Sequence, residues 1–377
     1  MRHAALVIAL LATLFVGTAT AEEVAPKPVQ PKKAPPQIVD FVICLDTSGS
    51  MSGLINAARQ KLWSVVSEIA MLEPEPKLRV ALLTYGSPGH PKRGDVVVQT
   101  DLTDNLDLVS EKLFALGTNG GTELVGRVLH YSLKDLNWSK SAGLKTIFVA
   151  GNESADQDTA MKVADMTRAA RARGIFVNAI YCGNADDGDA ESWRRVAHSG
   201  MGRFSNIDHN HGTVNIKTPF DKELATLSAK INTTYVWYGK ARKLAEARQI
   251  AQDANASNVG APAAAQRAEA KASSAYHNVG DLIDQSKRED FDLAKVPVAD
   301  LPEAMRTMDL EARQAYLVKK RAERTEIQAR IKDLSAKRAA FVKKTMEEEQ
   351  LDDSRSLDRA LREAISEQAR QRGFSTK

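Results

Sequence analysis

The sequence predicts an α/β protein, a doubly wound and mainly parallel sheet (Rossmann-like) followed by an all-α C-terminal region. Three observations carry this. Between residues 38 and 210 apolar strand-like runs alternate with amphipathic stretches, as in a sheet covered by helices on both faces. Beyond residue 217 such runs nearly vanish and Ala, Lys, Arg, Glu and Gln dominate, the composition of helices with solvated faces. The 377 residues are 43% hydrophobic and 27% charged, which excludes wholesale disorder and a polytopic membrane protein. That length corresponds to two or three domains at roughly 150 residues each. The charges, 52 basic against 48 acidic, are too evenly balanced to indicate a nucleic-acid binder.

At the N-terminus Arg2 and His3 precede an apolar run from Ala4 to Val16, and Ala19-Thr20-Ala21 supplies the small residues a signal peptidase needs. Residues 1–21 therefore read as a cleaved secretory signal. A run of thirteen residues is too short for a hydrocarbon core that needs about 20 helical residues, so no transmembrane segment is expected in the mature chain. Residues 22–37, with five prolines and no large apolar cluster, read as a Pro/Lys-rich linker. Only Cys44 and Cys182 follow, allowing at most one intramolecular disulfide after export.

The expected strands are IVDFVICLD (38–46), LRVALLTYG (78–86), VVVQTDL (96–102), KTIFVAGN (145–152), GIFVNAIYCG (174–183) and RFSNID (203–208), rich in Val, Ile and Phe and bounded by Gly, Asp or Asn. The clearest helix covers 53–72, where Leu54, Ala58, Leu62, Val65, Ile69 and Leu72 recur at three- and four-residue spacing. Residues 217–377 are assigned to a helical, coiled-coil-like domain. Within it, 309–350 contains no Gly or Pro, and as one helix would reach about 63 Å. Leu310, Leu317, Ile327, Ile331, Leu334 and Phe341 form a seam on it. Arg313, Lys320, Arg324 and Arg338 interrupt the seam, which favours an intramolecular helical hairpin, with 240–256 and 263–288 packed against it, over a homodimer through the C-terminal helices.

The first strand ends in Asp46-Thr47-Ser48-Gly49-Ser50, at the edge of a parallel sheet where ligands bind. Two further loops reach the same edge. Asn119-Gly120-Gly121-Thr122-Glu123 precedes a helix and offers a hydroxyl; Ala150-Gly151-Asn152-Glu153 follows a strand and offers an amide and a carboxylate. Oxygen donors without dedicated nitrogen or sulfur suit a hard divalent cation, Mg²⁺ foremost, with Mn²⁺ or Ca²⁺ as alternatives. The competing account of 46–50 is a strand-to-helix turn in which Ser and Asp merely cap the helix.

With its Asp-x-Ser-x-Ser string, Gly-Gly-Thr loop and following helices, the segment 38–210 resembles a von Willebrand factor type A (VWA) domain carrying a metal-ion-dependent adhesion site (MIDAS). The resemblance implies Ser48, Ser50 and Thr122 as direct metal ligands and Asp46 as an indirect one acting through water. The third loop departs from the family's Thr-Asp-Gly. Asn152 is the nearest match to that aspartate, keeps a carbonyl and loses a charge, which Glu153 or Asp156 could restore. The family's strand order sets Cys44 and Cys182 two strands apart, about 9.5 Å, beyond the Cα span of about 7 Å that a disulfide tolerates; both read as reduced core residues. A looser resemblance of AGNE (150–153), Thr218-Pro219, Thr234-Tyr235 and Gln252-Asp253 with Asn255 to secreted bacterial VWA proteins favours a bacterial envelope setting, periplasmic or extracellular.

An enzyme is not expected. Gly49 to Gly53 puts Met51 where a nucleophile elbow needs Ser. Ser48 interrupts an aspartic-protease Asp-Thr-Gly, and no phosphate loop ending in Gly-Lys-Ser/Thr occurs. His209 and His211 have metal-compatible spacing but no further ligand nearby, and read as a surface loop. Lys319-Lys320-Arg321 reads as a solvated face. The expected function is an exported protein-binding module, adhesive or scaffolding, whose divalent cation captures an Asp or Glu of a protein partner. The alternative is a metal-free VWA scaffold whose C-terminal helices make the working contact; a third reading, a regulatory subunit of a separate enzyme, is disfavoured by export.

Overall fold

The structure is a computed structural model that describes residues 37–208 and 214–376. The signal peptide, nearly all of the linker, and His209 and His211 lie outside the described residues. In chain order the elements are β1 (Ile38–Asp46), α1 (Ser52–Ala70), β2 (Leu72–Glu73), β3 (Lys77–Tyr85), β4 (Val97–Thr103), α2 (Leu106–Phe114), α3 (Val125–Asp135), β5 (Gly143–Gly151), α4 (Val163–Ala172), β6 (Phe176–Tyr181), α5 (Ala190–Ser199) and β7 (Met201–Asn206). They continue with α6 (Asp221–Asn232), α7 (Arg242–Val259), α8 (Ala261–Ala272), α9 (Leu282–Gln285), α10 (Leu310–Glu348), α11 (Leu357–Gln371) and β8 (Ser375–Thr376).

Six strands form one sheet in the order β4-β3-β1-β5-β6-β7, with β4 antiparallel to β3 and every other neighbour parallel. Each expected strand is present. The runs on β1, β3, β5 and β6 are largely apolar because both faces of these inner strands are covered, whereas the edge strands β4 and β7 carry polar residues. On β1, Val39, Phe41 and Leu45 join one core with α1, α2 and α11, whereas Val42 and Cys44 join the other with α3, α4 and α5. The one charge inside this strand, Asp40, takes a two-point ion pair from Arg79 at 2.8 Å per bond. Cys44 and Cys182 are buried and free, with β5 lying between β1 and β6.

The helical region is present over 221–371, but it does not stand apart. The described residues form a single compact unit. After an excursion through α6 to α10 the chain returns to the sheet. There α11 packs beside α1 and over β5, β6 and β7. Its Leu357, Leu361, Ala364 and Ile365 enter the first sheet core. Gln368 inserts into a buried polar cluster, donating to Asn178 at 2.7 Å and accepting from Thr146 at 2.9 Å. Meanwhile α8 lies on α1, and α7 on α2.

The expected hairpin is absent. α10 runs unbroken for 39 residues, since a stretch without Gly or Pro holds no signal to reverse it. It packs on α6, α8 and α9, while α7 sits against α2 and α8. The basic residues that interrupt its seam are satisfied within the chain. Arg324 is buried, donates to Asp281 at 2.7 Å and lies over the Tyr235 ring. Arg338 pairs with Asp221 at 2.9 Å, and Lys320 donates to the Thr233 carbonyl. Leu317, Ile327, Ile331 and Leu334 are buried, so most of the seam is closed internally.

Candidate metal centre

The chain leaves β1 towards β3 and β4 on one side, then crosses to β5, β6 and β7 on the other. The loops following β1 and β5 therefore diverge and open a crevice at the carboxyl edge of the sheet. Asp46 ends β1 at this point and is fully buried. Its Oδ1 accepts the Ser48 amide at 2.7 Å, turning the chain out of the strand. Thr47 anchors the turn, donating through both its amide and its hydroxyl to the Tyr85 carbonyl at 2.8 and 2.9 Å.

Beside it, Gly86 has φ +77°, and any Cβ there would run into Asp46 Oδ1. A glycine is required both for the left-handed backbone and for the close approach.

The three loops meet. Ser48 Oγ lies 3.4 Å from Ser50 Oγ, which donates to Asn152 Oδ1 at 3.3 Å. The second loop is tied to the first by its Asn119 amide, which donates to the Thr47 carbonyl at 3.0 Å. The Ser87 hydroxyl bridges the same two loops through the Thr47 and Asn119 carbonyls. Gly121 packs so closely on the turn at Gly86 that a Cβ would stand 2.6 Å from its carbonyl oxygen. Thr122 is exposed on this loop, three residues before α3 begins at Val125. The third loop is held from beneath, where the Tyr85 hydroxyl donates to the Ala150 carbonyl at 2.8 Å and Trp193 Nε1 to the Glu153 carbonyl at 2.7 Å.

The capping account holds for Asp46, whose Oδ1 bonds a backbone amide of the turn, and fails for the serines. Neither Ser48 nor the residue before α1 makes a side-chain capping bond, so the serine hydroxyls are not used to close the helix. Glu153 and Asp156 are turned to other partners, Glu153 accepting from Gln157 at 2.7 Å and Asp156 from Arg195 at 2.5 Å.

Sequence reasoning left Glu123 out of the donor set, and the structure buries it beside Asp46. Glu123 Oε2 accepts the Glu153 amide at 3.3 Å. Asp46 Oδ2 is buried with no donor. Burial first, and then the neighbouring Glu123 carboxyl, push the Asp46 pKa up to about 9. The sequence signal was slight, a glutamate next to a candidate ligand and just ahead of a helix, where acidic residues are common for dipole reasons alone.

Among the described residues no cluster of three or more His, Cys, Asp or Glu side chains could hold a metal. The donors gathered here are instead hydroxyls and an amide oxygen around a buried carboxylate with an unsatisfied atom, chemistry that fits a hard divalent cation.

Residues 40–208 match the family model of the von Willebrand factor type A domain. No curated protein matches the chain. Similar solved structures include a von Willebrand factor type A protein from Catenulispora acidiphila, at 17% identity over 46% of this chain and 39% of that one, TM-score 0.36. Another is proximal thread matrix protein 1 from the mussel byssus with a zinc-occupied MIDAS motif, at 14% identity over 47% and 43%, TM-score 0.35. A third is the pilus adhesin SpaC from Lactobacillus rhamnosus GG, at 15% over 46% and 28%, TM-score 0.35. The chain thus spans less than half the length of each of these three proteins.

Proposed function

With residues 40–208 a von Willebrand factor type A domain, we propose that the chain is an exported protein-binding module in which a divalent cation, Mg²⁺ foremost, captures an acidic side chain of a protein partner. Domains of this family are generally non-enzymatic interaction modules, and the reading follows that class. Its main support is the row of oxygens from Ser48 through Ser50 to Asn152, set above a buried Asp46 whose Oδ2 lacks a donor. In this reading Ser48, Ser50 and Thr122 hold the cation directly, Asp46 acts through water and Asn152 contributes its carbonyl. When bound, the cation supplies an undercompensated positive charge with a coordination position open to a carboxylate. Ser87 and Asn119 keep the first two loops in register, and Tyr85 and Trp193 fix the third.

In this reading residues 1–21 act as a secretory signal peptide, and the looser resemblance to secreted bacterial VWA proteins supports a bacterial envelope setting, periplasmic or extracellular. No described helix is long and apolar enough to cross a membrane.

The test uses Mn²⁺ as a paramagnetic stand-in. Water-proton relaxation of the Mn²⁺-loaded chain is followed on titration with a short peptide carrying a single Asp, against its Asn counterpart. Loss of relaxivity with the Asp peptide only, and its disappearance in Ser48→Ala, is the expected outcome. Equal responses to both peptides would end the acidic-partner reading.

A further inference from the structure

We propose, resting on the metal reading above, that Glu123 is the second carboxylate of the cation site and supplies the charge that Asn152 lacks. Asp46 is fully buried and Glu123 only 2% exposed. Oδ1 of Asp46 accepts the Ser48 amide and Oε2 of Glu123 the Glu153 amide, so each carboxylate ends at the loops that carry the candidate ligands. Among the described residues neither forms an ion pair with a basic side chain, and Asp46 Oδ2 has no donor at all. Buried carboxylate oxygens with no basic partner are costly to leave uncompensated, and a cation held by the three loops would compensate them.

The position of Glu123 suits this role. By accepting the amide of Glu153, the residue after Asn152, it reaches from the second loop to the third. It lies where the third loop brings an uncharged amide instead of a carboxylate. The carboxylates that the third loop does carry are engaged with Gln157 and Arg195. The bland account is that Glu123 only ties down the Glu153 amide. A glutamine oxygen would do that equally well, so Glu123→Gln separates the two.

The experiment measures Mn²⁺ affinity by calorimetry, and melting in EDTA, for the full chain and for Glu123→Gln, Ser48→Ala and the double variant Glu123→Gln/Asn152→Asp. Glu123→Gln is expected to lower affinity at least tenfold, and the double variant to recover most of it. In EDTA Glu123→Gln should melt at or above the parent temperature, because its amide can donate to Asp46 Oδ2. Parent-like affinity in Glu123→Gln, with binding lost in Ser48→Ala, would overturn the role of Glu123 and leave the metal reading standing. Absence of Mn²⁺ binding in the parent would remove both. A lower melting temperature of Glu123→Gln in EDTA would mark a purely structural residue and overturn the proposal.

Discussion

Metal affinity should rise with pH by about tenfold per unit between pH 6 and 8. The Asp46 carboxyl, pushed up to about 9 by burial and then by Glu123, holds a proton throughout that range in the metal-free chain. A cation using this site must displace the proton, and each proton released makes the apparent affinity grow by one power of ten per pH unit. Across two units that is roughly a hundredfold, or about 2.7 kcal/mol, and the slope flattens above about pH 9. Calorimetric titration with Mn²⁺ at pH 6, 7 and 8, in two buffers of different ionisation enthalpy, reads both the slope and the proton count. An unchanged affinity with no proton released would refute the argument. Stability in chelator should move the other way. The folded pKa lies above the ordinary carboxylate value of 3.8, so the contribution of Asp46 is fully present below about pH 4 and is lost as pH rises towards 9. Melting in EDTA should therefore fall from pH 6 to 8, whereas saturating Mn²⁺ should reverse that trend.

Gly86→Ala places a side chain at φ +77° and against Asp46 Oδ1, which should cost about 1–2 kcal/mol in denaturant unfolding and weaken Mn²⁺ binding; unchanged values in both would show that the turn can yield. Arg267→Met leaves Asp107 without a charged partner, with only the Tyr276 hydroxyl still donating to it, and should destabilise by about 3–5 kcal/mol, with part recovered on adding Asp107→Asn; a loss below 1 kcal/mol would mean that water reaches the pair. Removing residues 356–377 uncovers β5, β6 and β7, so the truncated chain should lose cooperative unfolding and bind a hydrophobic dye; a sharp parent-like transition would show that α11 is dispensable to the sheet.

The sheet was legible because its evidence is local. Six runs of Val, Ile and Phe between turn residues announce buried strands, and Asp46, Ser48 and Ser50 stand at a strand end that topology makes a binding edge. What escaped was settled by partners far away in sequence. The amphipathic pattern of Leu357, Leu361 and Ile365 says that α11 has a buried face, but nothing in it names a sheet some 150 residues upstream. Arg267, Lys271 and Arg324 look like solvated helix charges until Asp107, Asp253 and Asp281 are found facing them. For Glu123 the missing fact was burial, which turns an ordinary helix-leading acid into the neighbour that raises Asp46.

These long-range contacts bear on how a binding rim can be held. α1 begins at Ser52, two residues after Ser50, so the turn carrying two of the candidate ligands is continuous with that helix. Along its length α1 is packed by α2, α7, α8 and α11, the last three coming from the helical region. The contact with α8 includes Arg267, whose guanidinium lies 4.2 Å above the Trp63 ring while pairing with Asp107 on α2. Breaking that pairing would strand a charge in the interior, so α1 and α2 are coupled to the helical layer by electrostatics as well as by apolar packing. A partner pulling on the rim would load α1, and through it a helix sandwich closed by the chain's own C-terminal segment, where β8 pairs with β2 just beyond the end of α1. The helical region thus braces the helix that directly follows the turn carrying Ser48 and Ser50. A truncated head would lose that support even where its own residues could still reach an ion.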